Sequence, residues 1–277
     1  MIKLRLISLI SAMVLLASFN PSAHAVSVPK TFKKLATSST LAKPGIIVFD
    51  PATQTEIYSD AADEPRAPAS VLKIISAAAA IYAFGPDKVF NTTINSTEDP
   101  DVYILQGERD PWLTTSASEA KRSNRALSTK LINEIINRRG DYAGLKIKFY
   151  GMFDADIKSL RTYYGNEIKF ERIIKPPATP DQEPTEISRV TSPKLRKILN
   201  FTLLWSDNVL ADRVARNAAA KLGYSRDDLS LNLAFEDTLS SLGVNSTGLK
   251  VFDGSGLSRE NRVSVRTVAE LLLKIRN

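Results

Sequence analysis

The sequence predicts a mixed α/β protein: a main domain of helices and strands carrying a smaller, strand-rich lobe inserted into it. Three observations lead there. Residues 45–59, "GIIVFDPATQTEIYS", read as a strand, a polar turn and a second strand. Long helical stretches occupy 68–84 and 192–241. Between them the character changes to short strand-like segments that end in the proline-rich "KPPATPDQEPTE". A helical region interrupted by strands suggests an α/β or α+β main domain with a subdomain inside it.

The first segment stands apart. "MIKLRLISLISAMVLLASFNPSAHA" has Lys3 and Arg5, then an apolar core from Leu6 to Leu16, then the small-x-small ending Ala23-His24-Ala25. This is the pattern of a secretory signal peptide cleaved after Ala25. The apolar core is shorter than the ~20 residues that span a bilayer. The mature chain is therefore expected outside the cytoplasmic membrane, secreted or on its cell-wall side, with no stable membrane span after cleavage. The whole chain carries a net charge of +7; losing Lys3 and Arg5 leaves +5. The basic residues are scattered rather than clustered, which argues against nucleic acid as a partner.

Each later element has its own signal. The hairpin turns at 50–54. Pro68 opens a helix, Ala77 to Ala80 favour it, and Gly85-Pro86 end it. Ser70 is its cap or a first-turn residue. "DVYILQG", "LKIKFYG" and "EIKFERIIK" read as short strands around a helix at Ser128–Arg139. The proline-rich return closes the lobe, set at 92–186 between main-domain parts 26–91 and 187–277. "SPKLRKILNFTLLWSDNVLADRVARNAAAKLG" holds two helices broken at Trp205–Asn208, and "RDDLSLNLAFEDTLSSLG" is a third. A strand end and a glycine-rich loop follow in "LKVFDGSGLSRENRVS", then a last helix from Val265.

Composition narrows the chemistry. The only histidine, His24, lies in the leader, and there is no cysteine. Ser-His-Asp, Cys-His and histidine-ligated zinc chemistries are therefore excluded from the mature chain. A hydrolase built from it needs a carboxylate or lysine base. Ser70 and Lys73 lie three apart, on one face of a helix. A serine hydroxyl must lose its proton to attack, and lysine can take it when burial keeps the amine neutral. The helix N-terminus favours the alkoxide and disfavours the ammonium. The flank "IISAAAAIYAF" is apolar all round and so belongs in a core, which is an unusual setting for a solvated lysine. Ser206-Asp207-Asn208 offers a second hydroxyl and a carboxamide at a helix–helix break. Ser206 can relay a proton and Asn208 can hold a substrate amide, although the same residues are ordinary helix caps.

The order Ser-x-x-Lys, Ser-x-Asn and Asp253-Gly254-Ser255-Gly256-Leu257-Ser258 resembles the class C low-molecular-mass penicillin-binding proteins, the D-alanyl-D-alanine carboxypeptidase/endopeptidase family. "PASVLKIISAAAAIYAFGPDKVFNT" and "DVYILQGERDPWLT" resemble two further blocks of that family, and the likeness runs from about Gly45 to Asn277. It implies a β-lactamase/transpeptidase-like domain, with helices around a central antiparallel sheet. It also implies a penicillin-sensitive serine peptidase acting on peptidoglycan stem peptides, with β-lactams as inhibitors and no metal or organic cofactor. In that scheme Ser70 is the acyl nucleophile, Lys73 its base, and Ser206 with Asn208 the second catalytic pair. The Ser70 amide serves the oxyanion.

Three departures from the family pattern are visible. The insertion is short. Arg109 and Trp112 in "QGERDPWL" stand where a glycine-like and a small polar residue are expected. The third motif, Lys-Thr-Gly, occurs nowhere in the 277 residues, so the part that would carry it is expected to be missing. A catalytically inactive cell-wall or penicillin-binding module that has lost this strand is the alternative reading. N-terminal sequencing of exported protein should return Val26; recovery of Met1 would overturn the signal-peptide assignment.

Overall fold

The computed structural model describes residues 28–174 and 185–276, so the leader and most of the proline-rich exit lie outside the described residues. The chain divides into two compact units, 1–61 and 62–277.

In the first unit, helix α1 (Lys30–Ala36) precedes the expected hairpin, β1 (Ile46–Phe49) and β2 (Glu56–Asp60), paired antiparallel with Ile46 opposite Asp60. Asp50 makes the turn. Its carboxylate accepts the Ala52 N–H at 2.8 Å and the Thr53 N–H at 3.4 Å, as short acidic side chains do in tight turns. The Phe32 ring packs edge-on against Tyr58, with centroids 5.6 Å apart.

The second unit holds two cores. Helix α2 (Leu72–Phe84) is the axis of the first and buries Leu72, Ile75 and Ala78 to Ala80. The lobe follows with β3 (Asn91–Ser96), β4 (Val102–Gly107), β5 (Leu113–Thr114), α3 (Ala117–Ser123), β6 (Ala126–Leu127), α4 (Ser128–Arg139), β7 (Lys146–Tyr150), α5 (Asp154–Tyr164), β8 (Lys169–Arg172) and β9 (Glu186–Thr191). The chain then returns to the helical core through α6 (Leu195–Leu204), α7 (Asn208–Lys221), α8 (Asp228–Ser241) and α9 (Val265–Ile275). Helix α2 packs most extensively on α7. The small residues Ala211, Ala215 and Ala218 on α7 and Ala79 and Ala80 on α2 are all fully buried, so the two helices can approach closely. Among the described residues no helix is long and apolar enough to cross a membrane.

The lobe is rich in strands, as the sequence reading expects, and carries helices α3 and α5 besides the expected α4. Its five strands run in the order β8-β7-β4-β3-β9. β4, β7 and β8 are mutually parallel, while β3 is antiparallel to β4 and β9. Parallel neighbours need crossovers, and α4 and α5 supply them. Leu131, Ile132 and Ile135 of α4 and Ile157 and Leu160 of α5 share one core with Ile94, Leu105, Ile147 and Phe149 of the sheet. Outside the lobe, the named strands among the described residues are β1 and β2, a separate antiparallel pair.

Lobe and helical core meet at a buried polar joint. Arg213 of α7 donates to Asp156 of α5 at 2.6 Å and to the Leu113 carbonyl at 3.4 Å. Asp110, which is 2% exposed, accepts the Trp112 N–H at 2.8 Å. One oxygen each of Asp110 and Asp156 is buried without a hydrogen-bond partner among the described residues. Burial raises the Asp110 carboxyl to about 7; the Trp112 N–H opposes this, the nearby Asp156 adds to it, and Arg213 and Arg125 oppose it. Burial also raises Asp156, against the attraction of Arg213.

A carboxyl whose folded value lies above its unfolded one binds more protons when folded, so its contribution to stability falls as pH rises between the two values. The unfolded value is 3.8. The protein should therefore lose stability between about pH 4 and pH 7, by at most about 4 kcal/mol from Asp110. Asp110→Asn, which keeps an acceptor for the Trp112 N–H, should flatten that slope in urea melts between pH 5 and pH 8. An unchanged slope would mean that Asp110 is charged throughout this range.

Candidate active site

Ser70 lies in a single 3-10 turn, Ala69–Val71, and the helix proper starts at Leu72. It does not cap that helix: the cap position falls on Val71, which makes no side-chain bond. The Ser70 hydroxyl is instead held by two other side chains. Lys73 Nζ donates to Ser70 Oγ at 3.0 Å, and Ser206 Oγ donates to it at 2.8 Å. Ser70 is exposed, whereas Lys73, one helical turn below, is 2% exposed. The amine therefore reaches the surface through the serine.

Lys73 has a second partner, the Ser255 carbonyl, at 2.7 Å. Burial pushes its amine below the usual lysine range, opposed by the charges of Asp253 and Asp207. Desolvation of this kind makes a neutral amine accessible at lower pH and suits a base.

Ser206 has the backbone of a residue under strain, with φ +52°. Non-glycine residues rarely occupy that region, and such strain concentrates where a side chain has to be aimed. Capping does not explain Ser206, because Asp207 caps α7 by accepting the Leu210 N–H at 2.9 Å. The competing assignments within Ser-Asp-Asn thus separate: the aspartate caps, and the serine turns to Ser70. Asn208, the first residue of α7, is exposed and has no side-chain hydrogen bond among the described residues. Of the four residues singled out by sequence, three meet within hydrogen-bonding distance, and Asn208 stands one residue beyond the cap.

The glycine-rich block forms a tight loop under the serine turn. At Gly256, φ is +82°, and an added Cβ would fall 1.7 Å from the Ala69 carbonyl oxygen. Ala69 is itself at φ +47°. The loop is clamped from both flanking helices. Ser76 of α2 donates to the Gly254 carbonyl at 2.5 Å, and the Gly254 N–H donates to Asp212 of α7 at 2.9 Å. Sequence reasoning missed Ser76 and Asp212. The available signal for Ser76 was a lone hydroxyl in an apolar helix, one turn beyond Lys73.

The two departing residues, Arg109 and Trp112, fit this setting. Arg109 is at φ +55°, which accounts for a glycine being expected there. Its guanidinium donates to the Met152 carbonyl at 3.0 Å and lies over the Phe153 ring. Trp112 is buried and packs edge-on against Phe201, which in turn neighbours Trp205. A row of aromatic rings thus runs from the lobe to the residue before Ser206. Among the described residues no group of three or more His, Cys, Asp or Glu is arranged to hold a metal ion.

An exposed serine on a helix-opening turn is thus backed by a buried lysine and faced by a second serine from a helix break. The chain belongs to the D-Ala-D-Ala carboxypeptidase 3 (S13) family, whose pattern it matches over residues 30–138 and 155–277. It is 26% identical to carboxypeptidase DacB of Mycolicibacterium smegmatis over 86% of its own length, and it spans 62% of that relative. Against the D-alanyl-D-alanine carboxypeptidase of Actinomadura sp. strain R39 it is 34% identical over 91 residues, 30% of this chain and 17% of that one. The fold is similar to that of penicillin-binding protein 4 from Haemophilus influenzae, with a TM-score of 0.63 at 15% identity over 84% of this chain and 75% of that one. A predatory peptidoglycan endopeptidase from Bdellovibrio bacteriovorus gives a TM-score of 0.57 at 16% identity, covering 83% and 68% of the respective chains.

The contact between loop and serine turn can be tested without activity. Gly256→Ala should lower the melting temperature by at least about 5 °C more than Gly223→Ala, whose added Cβ meets nothing within 4 Å at a φ of +95°. Equal effects would mean that the loop yields to the clash.

Proposed function

We propose that the chain is a serine D-Ala-D-Ala carboxypeptidase or endopeptidase, acting on peptidoglycan stem peptides through a Ser70 acyl-enzyme outside the cytoplasmic membrane. The observation that carries this is the Ser70 hydroxyl held between Lys73 and Ser206. Family membership supports the same reading.

In this reading neutral Lys73 takes the Ser70 proton as Oγ attacks the carbonyl carbon of the scissile amide. The Ser255 carbonyl keeps one amine hydrogen occupied, so the lone pair is directed at Ser70. The oxyanion takes the Ser70 N–H as a donor, and one such donor is worth about 10²–10³ in rate. When the carbon–nitrogen bond breaks, Ser206 gives its proton to the leaving amine and is reprotonated from the Lys73 ammonium. Asn208 offers its carboxamide to the substrate backbone. Water then cleaves the Ser70 ester: Lys73 accepts its proton as the hydroxyl adds to the acyl carbon and returns that proton to Ser70 Oγ as the ester bond breaks. Carboxypeptidase and endopeptidase action differ only in the amine that leaves.

β-Lactams should enter by the same route, because their strained amide presents the same carbonyl. The Haemophilus protein has been crystallised with a β-lactam, and the Bdellovibrio endopeptidase as a penicillin G-acylated form. Mass spectrometry after penicillin treatment should find one adduct on Ser70. Ser70→Ala should abolish it, and Lys73→Ala should slow its formation by about 10²-fold or more. An adduct that survives Ser70→Ala, or none on the unaltered chain, would end the serine-peptidase reading.

A further inference from the structure

Asp253 touches neither Ser70 nor Lys73 in any hydrogen bond, yet it organises what Lys73 touches. Its Oδ1 accepts the N–H groups of Ser255 and Gly256 at 2.7 Å each, that of Leu257 at 3.2 Å, and the Ser255 hydroxyl at 2.6 Å. Its Oδ2 accepts the Ser258 N–H at 2.7 Å and Asn261 Nδ2 at 3.0 Å. One carboxylate thus draws five residues of the loop around itself. The product of that wrapping is the Ser255 carbonyl, which points out of the loop and meets Lys73 Nζ.

We propose that Asp253 is a positioning residue for the Ser70–Lys73 pair: its carboxylate sets the Ser255 carbonyl against the lysine amine, and its charge opposes the desolvation of that amine. The proposal rests on Lys73 being the base and adds what tunes it. Burial works against ionisation of Asp253, but the hydrogen bonds from Ser255, Ser258 and Asn261 outweigh it and hold the carboxyl well below the usual carboxylate range. Asp253 is therefore charged at every pH at which Lys73 can lose its proton. The charged groups that act on Lys73 are Asp253 in the loop and Asp207 at the α7 cap, both favouring ammonium. Geometry and charge pull in different directions: the carbonyl orients the amine for attack, and the carboxylate delays its deprotonation.

The two effects separate by mutation. Asp253→Asn keeps an acceptor at the Oδ1 site, replaces the Oδ2 acceptor by a donor and removes the charge. Ser76→Ala loosens the same loop and leaves the charge in place. Lys73 is followed by carbon-13 NMR at Cε, which requires no activity, and penicillin acylation is measured across pH on the same proteins. In Asp253→Asn the Lys73 titration should move to lower pH, because loss of a nearby negative charge favours the neutral amine. The rise of acylation with pH should move with it. The plateau should fall about 10–100-fold, as expected for a displaced reacting group. In Ser76→Ala the plateau should fall while the midpoint stays.

An Asp253→Asn protein that folds and titrates at Lys73 like the unaltered chain overturns the proposal. If it does not fold, Asp253→Glu takes its place: charge retained and reach changed, it should slow acylation at least tenfold with the midpoint unmoved, and a rate equal to the unaltered chain overturns the proposal. Absence of acylation in the unaltered chain, with the Lys73 midpoint still moved by Asp253→Asn, sinks the peptidase reading alone.

Discussion

The buried amine of Lys73 is the constraint around which the helical core is arranged. An ammonium or amine at 2% exposure is costly unless its hydrogens are bonded. Two partners meet that need, a side chain one turn up the helix and a backbone carbonyl from 182 residues further on. The carbonyl can be there only because the loop carrying it is wrapped on Asp253, held to α2 through Ser76 and held to α7 through Asp212. The glycines follow from the same requirement. At Gly254 an added Cβ would lie 2.4 Å from the Ala215 Cβ on α7, so the loop approaches that helix as closely as a backbone can.

Helix α7 shows how little of the site is local. Within two turns it supplies the capping aspartate that frees Ser206, the Asp212 acceptor for the loop, and Arg213, which ties in the lobe through Asp156. The Arg213–Asp156 pair is deeply buried, with side chains 11% and 8% exposed. Removing one member of such a pair strands the other charge, so the joint resists piecemeal change even where it adds little net stability. The aromatic row from Trp112 through Phe201 to Trp205 makes a second link between the same two regions.

Much of this was legible in sequence where the signal was local. The hairpin, the helix at Ser128–Arg139, the paired helices around the Ser-Asp-Asn break and the last helix all lie where their turn residues and periodicity put them. The Ser70–Lys73 pairing follows from helical spacing alone. Helix α5 was missed because Ile157, Leu160 and Tyr164, its spaced apolar positions, are embedded among charges and lie between two strand-like runs. The parallel direction of β4, β7 and β8 was not legible either. Alternation in "LKIKFYG" records that one face of the strand is buried, not which way its neighbours run. Nor could spacing reveal that Asp253 binds its own loop so densely, since four of its six hydrogen bonds come from backbone N–H groups and the other two from Ser255 and Asn261, which pass for ordinary turn formers.

The distances in sequence within the site have a consequence in time. Ser206 is 136 residues from Ser70, and Ser255 is 182 from Lys73. Contacts at such separations form late, after the entropy of closing long stretches of chain has been met. Until they form, Ser70 is an ordinary hydroxyl beside a solvated ammonium, with no neutral amine to take its proton. A chain still emerging from the ribosome, or held unfolded, carries both motif residues and is chemically silent. On the proposed reading, reactivity is a property of the finished fold, and folding is the step that arms the serine.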